Sequence, residues 1–225
     1  MFKGGSWEGR VSDGLSNEDA NTSSREGGRS RGLEKPSRTR KVEGVGSGRH
    51  AARMSTGPVA PRFRWAMEVL SLAPDARVLE VGCGHGIALG LVASRLRDGC
   101  VLGIDRSEKM VTQALRRNAD AVRAGHVLAR IGTLAEVDLG RELFDVAFAI
   151  NVSLFAEDDV RVELSRLREH LRPGGALYLF HEAPVAAHAK RFATVAARNL
   201  ESQGFTVRTV PAGPSRACVV GQASG

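Results

Sequence analysis

The stretch Arg77-Val78-Leu79-Glu80-Val81-Gly82-Cys83-Gly84-His85-Gly86 decides the fold. An apolar run carries one carboxylate near its end and is followed by glycine at every second position. Glycine accepts the positive φ of a tight turn and lets bare backbone approach a ligand. The amphipathic run Ile87 to Arg97 then opens a helix whose first N–H groups face the same place. Strand, glycine turn and helix in that order make a nucleotide-cofactor turn. A second apolar run, Val101-Leu102-Gly103-Ile104-Asp105, ends in an acid about twenty residues further on, the interval at which a carboxylate meets a ribose.

The dinucleotide fingerprint wants glycine or alanine three residues after its second glycine, so that helix and strand pack closely. Here that place holds the β-branched Ile87. The spacing instead resembles the first motif of the class I S-adenosylmethionine-dependent methyltransferases, acidic-x-Gly-x-Gly-x-Gly, with Glu80, Gly82, Gly84 and Gly86 in its four fixed positions. Phe144-Asp145-Val146-Ala147 is similar to that family's entry to strand four. Leu171-Arg172-Pro173-Gly174-Gly175-Ala176-Leu177 is similar to its turn before strand five. The resemblance thus spans roughly Pro61 to Gly225.

It implies a Rossmann-like α/β fold: a doubly wound, mostly parallel seven-stranded sheet with a terminal antiparallel strand pair. It also implies S-adenosylmethionine as cofactor. Glu80 would help to orient the methionine end, Gly82, Gly84 and Gly86 would lie against the ligand, Asp105 would accept from both ribose hydroxyls, and Arg106 would line the adenine side. Many relatives place an Asp after strand three, whereas this chain reads Arg130-Ile131-Gly132-Thr133-Leu134. The Thr133 hydroxyl and the Leu134 N–H are the adenine contacts left.

Apolar periodicity and turn residues supply the elements. Helices are expected over Arg62 to Leu72, after the N-cap Ser107, over Ala156 to Leu171 and over Val185 to Gln203; strands over Val78 to Val81, Val101 to Asp105, His126 to Ile131, Phe144 to Asn151 and Ala176 to His181. Two last strands, Phe205 to Val210 and Ala217 to Gly221, flank a short Pro211-Ala212-Gly213-Pro214 connection. This alternation specifies a doubly wound sheet. Ligands in such sheets sit beyond the carboxyl ends of the strands, which selects Asn151, Ser153, His181 and Glu182 at the rim, with Asn151 as a cofactor contact. His181 is the candidate general base, because its ordinary pKa lies near working pH; a polar residue merely ending a strand is the alternative. No single catalytic residue is obligatory, since the cofactor's methyl group is already activated.

Asn151-Val152-Ser153-Leu154-Phe155 departs from the Asn/Asp-Pro-Pro-aromatic motif that holds a planar exocyclic nitrogen, which argues against N-methylation of bases or glutamine. Glu157, Asp158 and Asp159 point around a helix start rather than converging on one ion, so no metal site is expected.

The chain has 225 residues, 42% of them hydrophobic, enough for one α/β domain and an appendage. Residues 1–57 are rich in Gly, Ser, Arg and Glu and lack an apolar period, so a disordered N-terminal extension is expected there and the methyltransferase domain over 58–225. The extension holds 11 basic and 7 acidic residues. A basic tail can dock nucleic acid, but its acids are interspersed and its aromatics are only Phe2 and Trp7, so a nucleic-acid partner is not expected. No run approaches the roughly eighteen apolar residues of a membrane span, and no signal-peptide core is visible. Three cysteines without a C-x-x-C pair read as reduced thiols and a cytoplasmic location. The expected function is S-adenosylmethionine-dependent, in-line methyl transfer to a small-molecule acceptor. The alternatives are a degenerate cofactor-binding protein of the same fold and an RNA or protein methyltransferase.

Overall fold

The computed structural model describes residues 59–224, so the disordered extension expected over 1–57 lies outside the described residues. Helix α1 (Pro61–Val69) opens with proline at its first position, where the missing N–H costs nothing, and buries Trp65, Ala66 and Met67. There follow β1 (Arg77–Val81), α2 (Ile87–Ala93), β2 (Cys100–Asp105), α3 (Glu108–Arg117), α4 (Ala119–Arg123), β3 (Val127–Ile131) and β4 (Phe144–Ile150). A 3-10 turn, Ser153–Ala156, precedes α5 (Arg161–Glu169), β5 (Leu171–Glu182), α6 (Ala186–Ser202), β6 (Phe205–Val210) and β7 (Arg216–Ala223).

The seven strands form one sheet in the order β3-β2-β1-β4-β5-β7-β6. Neighbours from β3 to β5 are parallel; β7 runs antiparallel to both β5 and β6. The chain winds outward in one direction from β1 and in the other from β4, so the order reverses between these two strands. A crevice opens at the carboxyl ends of strands where this happens.

Both sheet faces are covered, which is why the central strands read as continuous apolar runs. Val78, Phe148 and Phe180 pack under α1, α2 and α3 through Trp65, Leu89 and Ala114. Leu79, Ala147 and Leu179 pack under α5 and α6 through Leu164, Leu167, Phe192 and Leu200.

Four elements differ from expectation by three residues or more, the first being α1, which ends at Val69 rather than Leu72. Helix α2 stops at Ala93 instead of Arg97, because the Pro74 carbonyl accepts the N–H groups of Arg97, Asp98 and Gly99. The helix expected over 156–171 begins only at Arg161, since Asp159 turns back to accept the Arg161 N–H (3.3 Å) and Ser153–Ala156 winds separately. Pro173-Gly174-Gly175 does not precede β5 but bulges within it: Leu171 pairs Phe144 and Ala176 pairs Val146, so the extra residues loop out with Gly174 at φ 76°.

Candidate active site

The turn after β1 is held against the end of β2, where the Ile104 carbonyl accepts from Gly82 N (2.8 Å) and Cys83 N (3.0 Å). Gly82, Gly84 and Gly86 take φ of 71°, 50° and 72°. Their surroundings differ. A Cβ on Gly82 would fall 2.6 Å from Val152 Cγ2, and one on Gly86 2.7 Å from Ala114 Cβ. A Cβ on Gly84 would meet nothing within 4 Å. Gly82 and Gly86 therefore serve close packing, while Gly84 presents bare backbone to open space, a cradle for a ligand. Asn118 secures the far end of the turn by donating to Gly86 O (2.9 Å), and Arg117 Nε donates to His85 O (3.0 Å).

Cys83 turns inward against Gly103. Burial raises its thiol pKa far above the ordinary value, and the Glu80 and Asp105 carboxylates push the same way. It is held as a thiol and packs as a small apolar residue.

Asp105 is half-buried beside the cradle. Its Oδ2 accepts from Gly84 N (2.9 Å) and its Oδ1 from Ser107 N (2.9 Å). Each carboxylate oxygen has a second lone-pair direction. Arg106 beside it is exposed. The Gly132 N–H donates to Asp105 O (3.0 Å), which brings the loop after β3 alongside. There the Thr133 hydroxyl donates to Glu136 Oε2 (2.7 Å), and the Leu134 side chain is buried in the core. Ile131, in register with Asp105, is 54% exposed and offers apolar surface at this end of the crevice. An apolar residue closing an edge strand was the available signal for it in the sequence.

Glu80 shares its sheet face with Val78, as alternation along a strand requires, and is only 2% exposed. Burial raises its carboxyl pKa well above the ordinary value, the Asp105 charge adds to this, and the Leu89 N–H opposes it. Its Oε2 has no hydrogen-bond partner among the described residues. A buried polar atom left open in this way fits a ligand donor close by.

A raised carboxyl pKa means that the folded chain keeps its proton where the unfolded chain has lost it. Stability therefore falls as pH rises from the unfolded value, near 4.5, through the raised folded value. Glu80→Gln removes this loss. Thermal melts from pH 4 to 8 are expected to show the variant gaining on the wild type as pH rises; parallel curves would mean that Glu80 is ionised without penalty.

Asn151 is the one described non-glycine residue with positive φ, at 55°. Its Nδ2 donates to Glu182 O (3.2 Å) and its Oδ1 accepts from Glu182 N (2.7 Å). The amide is thus bonded to β5 rather than turned to the glycine turn. Glu182 accepts from Arg216 (2.8 Å), whose guanidinium lies over Trp65 (5.4 Å), and Trp65 meets Phe180 edge-on at 5.1 Å. Sequence reading named Glu182 at the rim but missed its partners Arg216, Trp65 and Phe180, since the cluster is assembled from α1, β5 and β7.

His181 stacks on Phe192 (4.5 Å between centroids, 13° between planes). Burial pulls its pKa below the ordinary value, and His188 acts in the same direction. The two histidines, Arg191, Phe192 and Ala156 line a cleft of about 390 Å³. Another cleft, of about 420 Å³ and lined by Asp75, Asp145 and Arg172, lies at the amino ends of β4 and β5, away from the turn. The three consecutive acids diverge, as expected, but ahead of α5 rather than in its first turn: Asp158 meets Arg198 (2.7 Å) and Asp159 meets Arg161 (3.0 Å).

Comparison with known proteins gives the class. Residues 78–175 match the family described as "Methyltransferase domain". The chain is 31% identical over 135 residues to the trans-aconitate 2-methyltransferase of Deinococcus radiodurans, covering 59% of this chain and 49% of that one. It is 33% identical over 129 residues to the nocamycin O-methyltransferase of Saccharothrix syringae, covering 56% and 44%. It spans about half the length of the curated relatives it matches. A solved S-adenosylmethionine-dependent methyltransferase from Aquifex aeolicus has the same fold, with a TM-score of 0.60, 19% identity and coverage of 72% and 89%. Residues 78–175 thus form a methyltransferase domain of the class I S-adenosylmethionine-dependent kind.

Proposed function

We propose that this chain transfers a methyl group from S-adenosylmethionine to a small-molecule acceptor. The observation that carries this is the open cradle at Gly84, set beside the Asp105 carboxylate and in front of the unpartnered Glu80 Oε2. Glu80 serves the methionine end, Gly84 lets the ligand approach the backbone while Gly82 and Gly86 hold the turn against Val152 and Ala114, and Asp105 takes the ribose hydroxyls. Arg106, Thr133 and Leu134 flank the adenine, the last through its backbone. Asn151 acts by holding the rim closed. When bound, the cofactor supplies an activated methyl group; the chain orients it and excludes water.

A small acceptor is supported by the small molecules for which the relatives are named, trans-aconitate and nocamycin, and by the absence of a Pro-Pro-aromatic clamp after Asn151. No described helix is long and apolar enough to cross a membrane. The cytoplasmic reading rests on three free cysteines. A non-catalytic reading draws on Thr133, whose hydroxyl is spent on Glu136, so that no side chain there is given to adenine. Turnover assays separate the two.

Calorimetry with S-adenosylmethionine and NAD tests the cofactor. The first is expected to bind and the second not. Gly84→Ala places a methyl group in open space, so only left-handed strain of about 1–2 kcal/mol acts on the fold, while cofactor affinity drops about tenfold. Wild-type affinity in this variant would remove the cradle from the site.

A further inference from the structure

We propose that the cleft between His181 and α6 is the acceptor subsite and that it recognises a small organic acid by its carboxylate, an inference that rests on the methyl-transfer reading above. The cleft is next to the cofactor turn through a short series of contacts. The bare face of Gly82 abuts Val152, and the 3-10 turn Ser153–Ala156 runs from there to Ala156 in the cleft wall. Asn151, just before Val152, is bonded to Glu182, the neighbour of His181. The loop from Asn151 to Ala156 therefore borders both the glycine turn, at Gly82, and the cleft, at Ala156.

The chemistry of the lining selects the ligand. Its polar groups are two imidazoles and one guanidinium, and none of the five lining residues is an acid. Arg191 makes no hydrogen bond or ion pair with any described residue. The nearby carboxylates are engaged elsewhere, Glu182 by Arg216 and Asp158 by Arg198, and Glu157 is exposed outside the lining. A guanidinium fork matches a carboxylate with two parallel bonds. The remaining walls, Phe192 stacked on His181 and Ala156, are flat and apolar, suited to the hydrocarbon body of the acid. A volume of about 390 Å³ holds a small molecule. Inorganic phosphate would meet the same polar groups but leave the apolar walls without a partner.

In this arrangement Arg191 and His188, both exposed on α6, hold the carboxylate at the mouth. His181 sets the depth of the cleft, and the body of the acid carries the atom to be methylated toward the turn. These are substrate-positioning roles and require no proton transfer by either histidine.

The test uses the full chain with isotope-labelled histidine, titrated with benzoate and cinnamate, with benzamide and cinnamamide, and with inorganic phosphate, each with and without S-adenosylhomocysteine. The acids are expected to shift the His181 and His188 imidazole signals. The amides and phosphate should bind about tenfold more weakly or not at all. Arg191→Gln should weaken the acids about tenfold. Lys190→Gln, the same charge change on the exposed neighbouring position outside the cleft, should leave them within about twofold. Equal binding of acids and amides, unmoved histidine signals, or equal losses in the two variants would overturn the proposal. Calorimetry with S-adenosylhomocysteine on the same samples reads the methyltransferase assignment separately: its failure strikes that assignment, while the response to the acids still reads the cleft.

Discussion

Replacing Gly86 by alanine is expected to lower the melting temperature by roughly 5–15 °C. The added Cβ would lie 2.7 Å from Ala114 Cβ and 2.8 Å from Ala114 Cα, a backbone atom of α3 that cannot swing aside. Overpacking of this kind costs about 1–3 kcal/mol, and φ of 72° adds about 1–2 kcal/mol for a residue with a side chain. In a domain of this size each kcal/mol moves the midpoint by about 2–4 °C. The Asn118 bond that fastens Gly86 O is strained at the same time, so cofactor binding should fail together with the fold. A thermal melt beside Gly84→Ala is the check. Gly84→Ala should melt within a few degrees of the wild type, and a Gly86→Ala midpoint equally close would show that the turn does not pack on α3 as described.

Asp105→Ala is expected to weaken S-adenosylmethionine binding by about tenfold to a hundredfold, the worth of hydrogen bonds to a charged acceptor. The same carboxylate fastens the turn through Gly84 N and the start of α3 through Ser107 N, so both ends of the cradle loosen. Asp105→Asn keeps the shape and one acceptor oxygen, and an intermediate loss is expected. It also removes a charge that disfavours ionised Glu80, which makes the Glu80 carboxyl more acidic. Calorimetry reads the affinity and a pH series of melts reads Glu80. Unchanged affinity in the alanine variant would sink the ribose assignment.

The sheet and the cofactor turn were legible because their signals are local. An apolar run, an acid and three alternating glycines lie within ten consecutive residues, and β6 runs from Phe205 to Val210 as expected. What stayed hidden depends on distant partners. That Gly84 faces open space while Gly82 and Gly86 face protein is decided by Val152 and Ala114, neither of which is near the turn in sequence. The early end of α2 is decided by the Pro74 carbonyl, which captures N–H groups beyond Ala93. The late start of α5 is decided by Asp159, whose helix-compatible sequence gives no hint that it turns back onto Arg161. Trp65, Glu182 and Arg216 come from the first helix and from two strands of the far half of the sheet, so no spacing rule unites them. His181 was legible as a rim residue, but the cleft around it required the placement of α6.

The paired bonds between the Asn151 amide and the Glu182 backbone have an engineering consequence. They add a rung to the β4–β5 ladder after β4 itself has ended, and the rung is made by a side chain. The chain that leaves at Val152 is therefore relieved of sheet geometry, whereas the strands behind it remain tied. Segments grafted between Val152 and Val160 can differ in length and sequence without passing strain into the cofactor turn, so long as Val152 still covers Gly82, an apolar residue still fills the core place of Phe155 and a carbonyl still accepts from Asn199 Nδ2. Libraries confined to that interval, with Asn151 kept constant, are the economical route to new acceptor preferences on this scaffold.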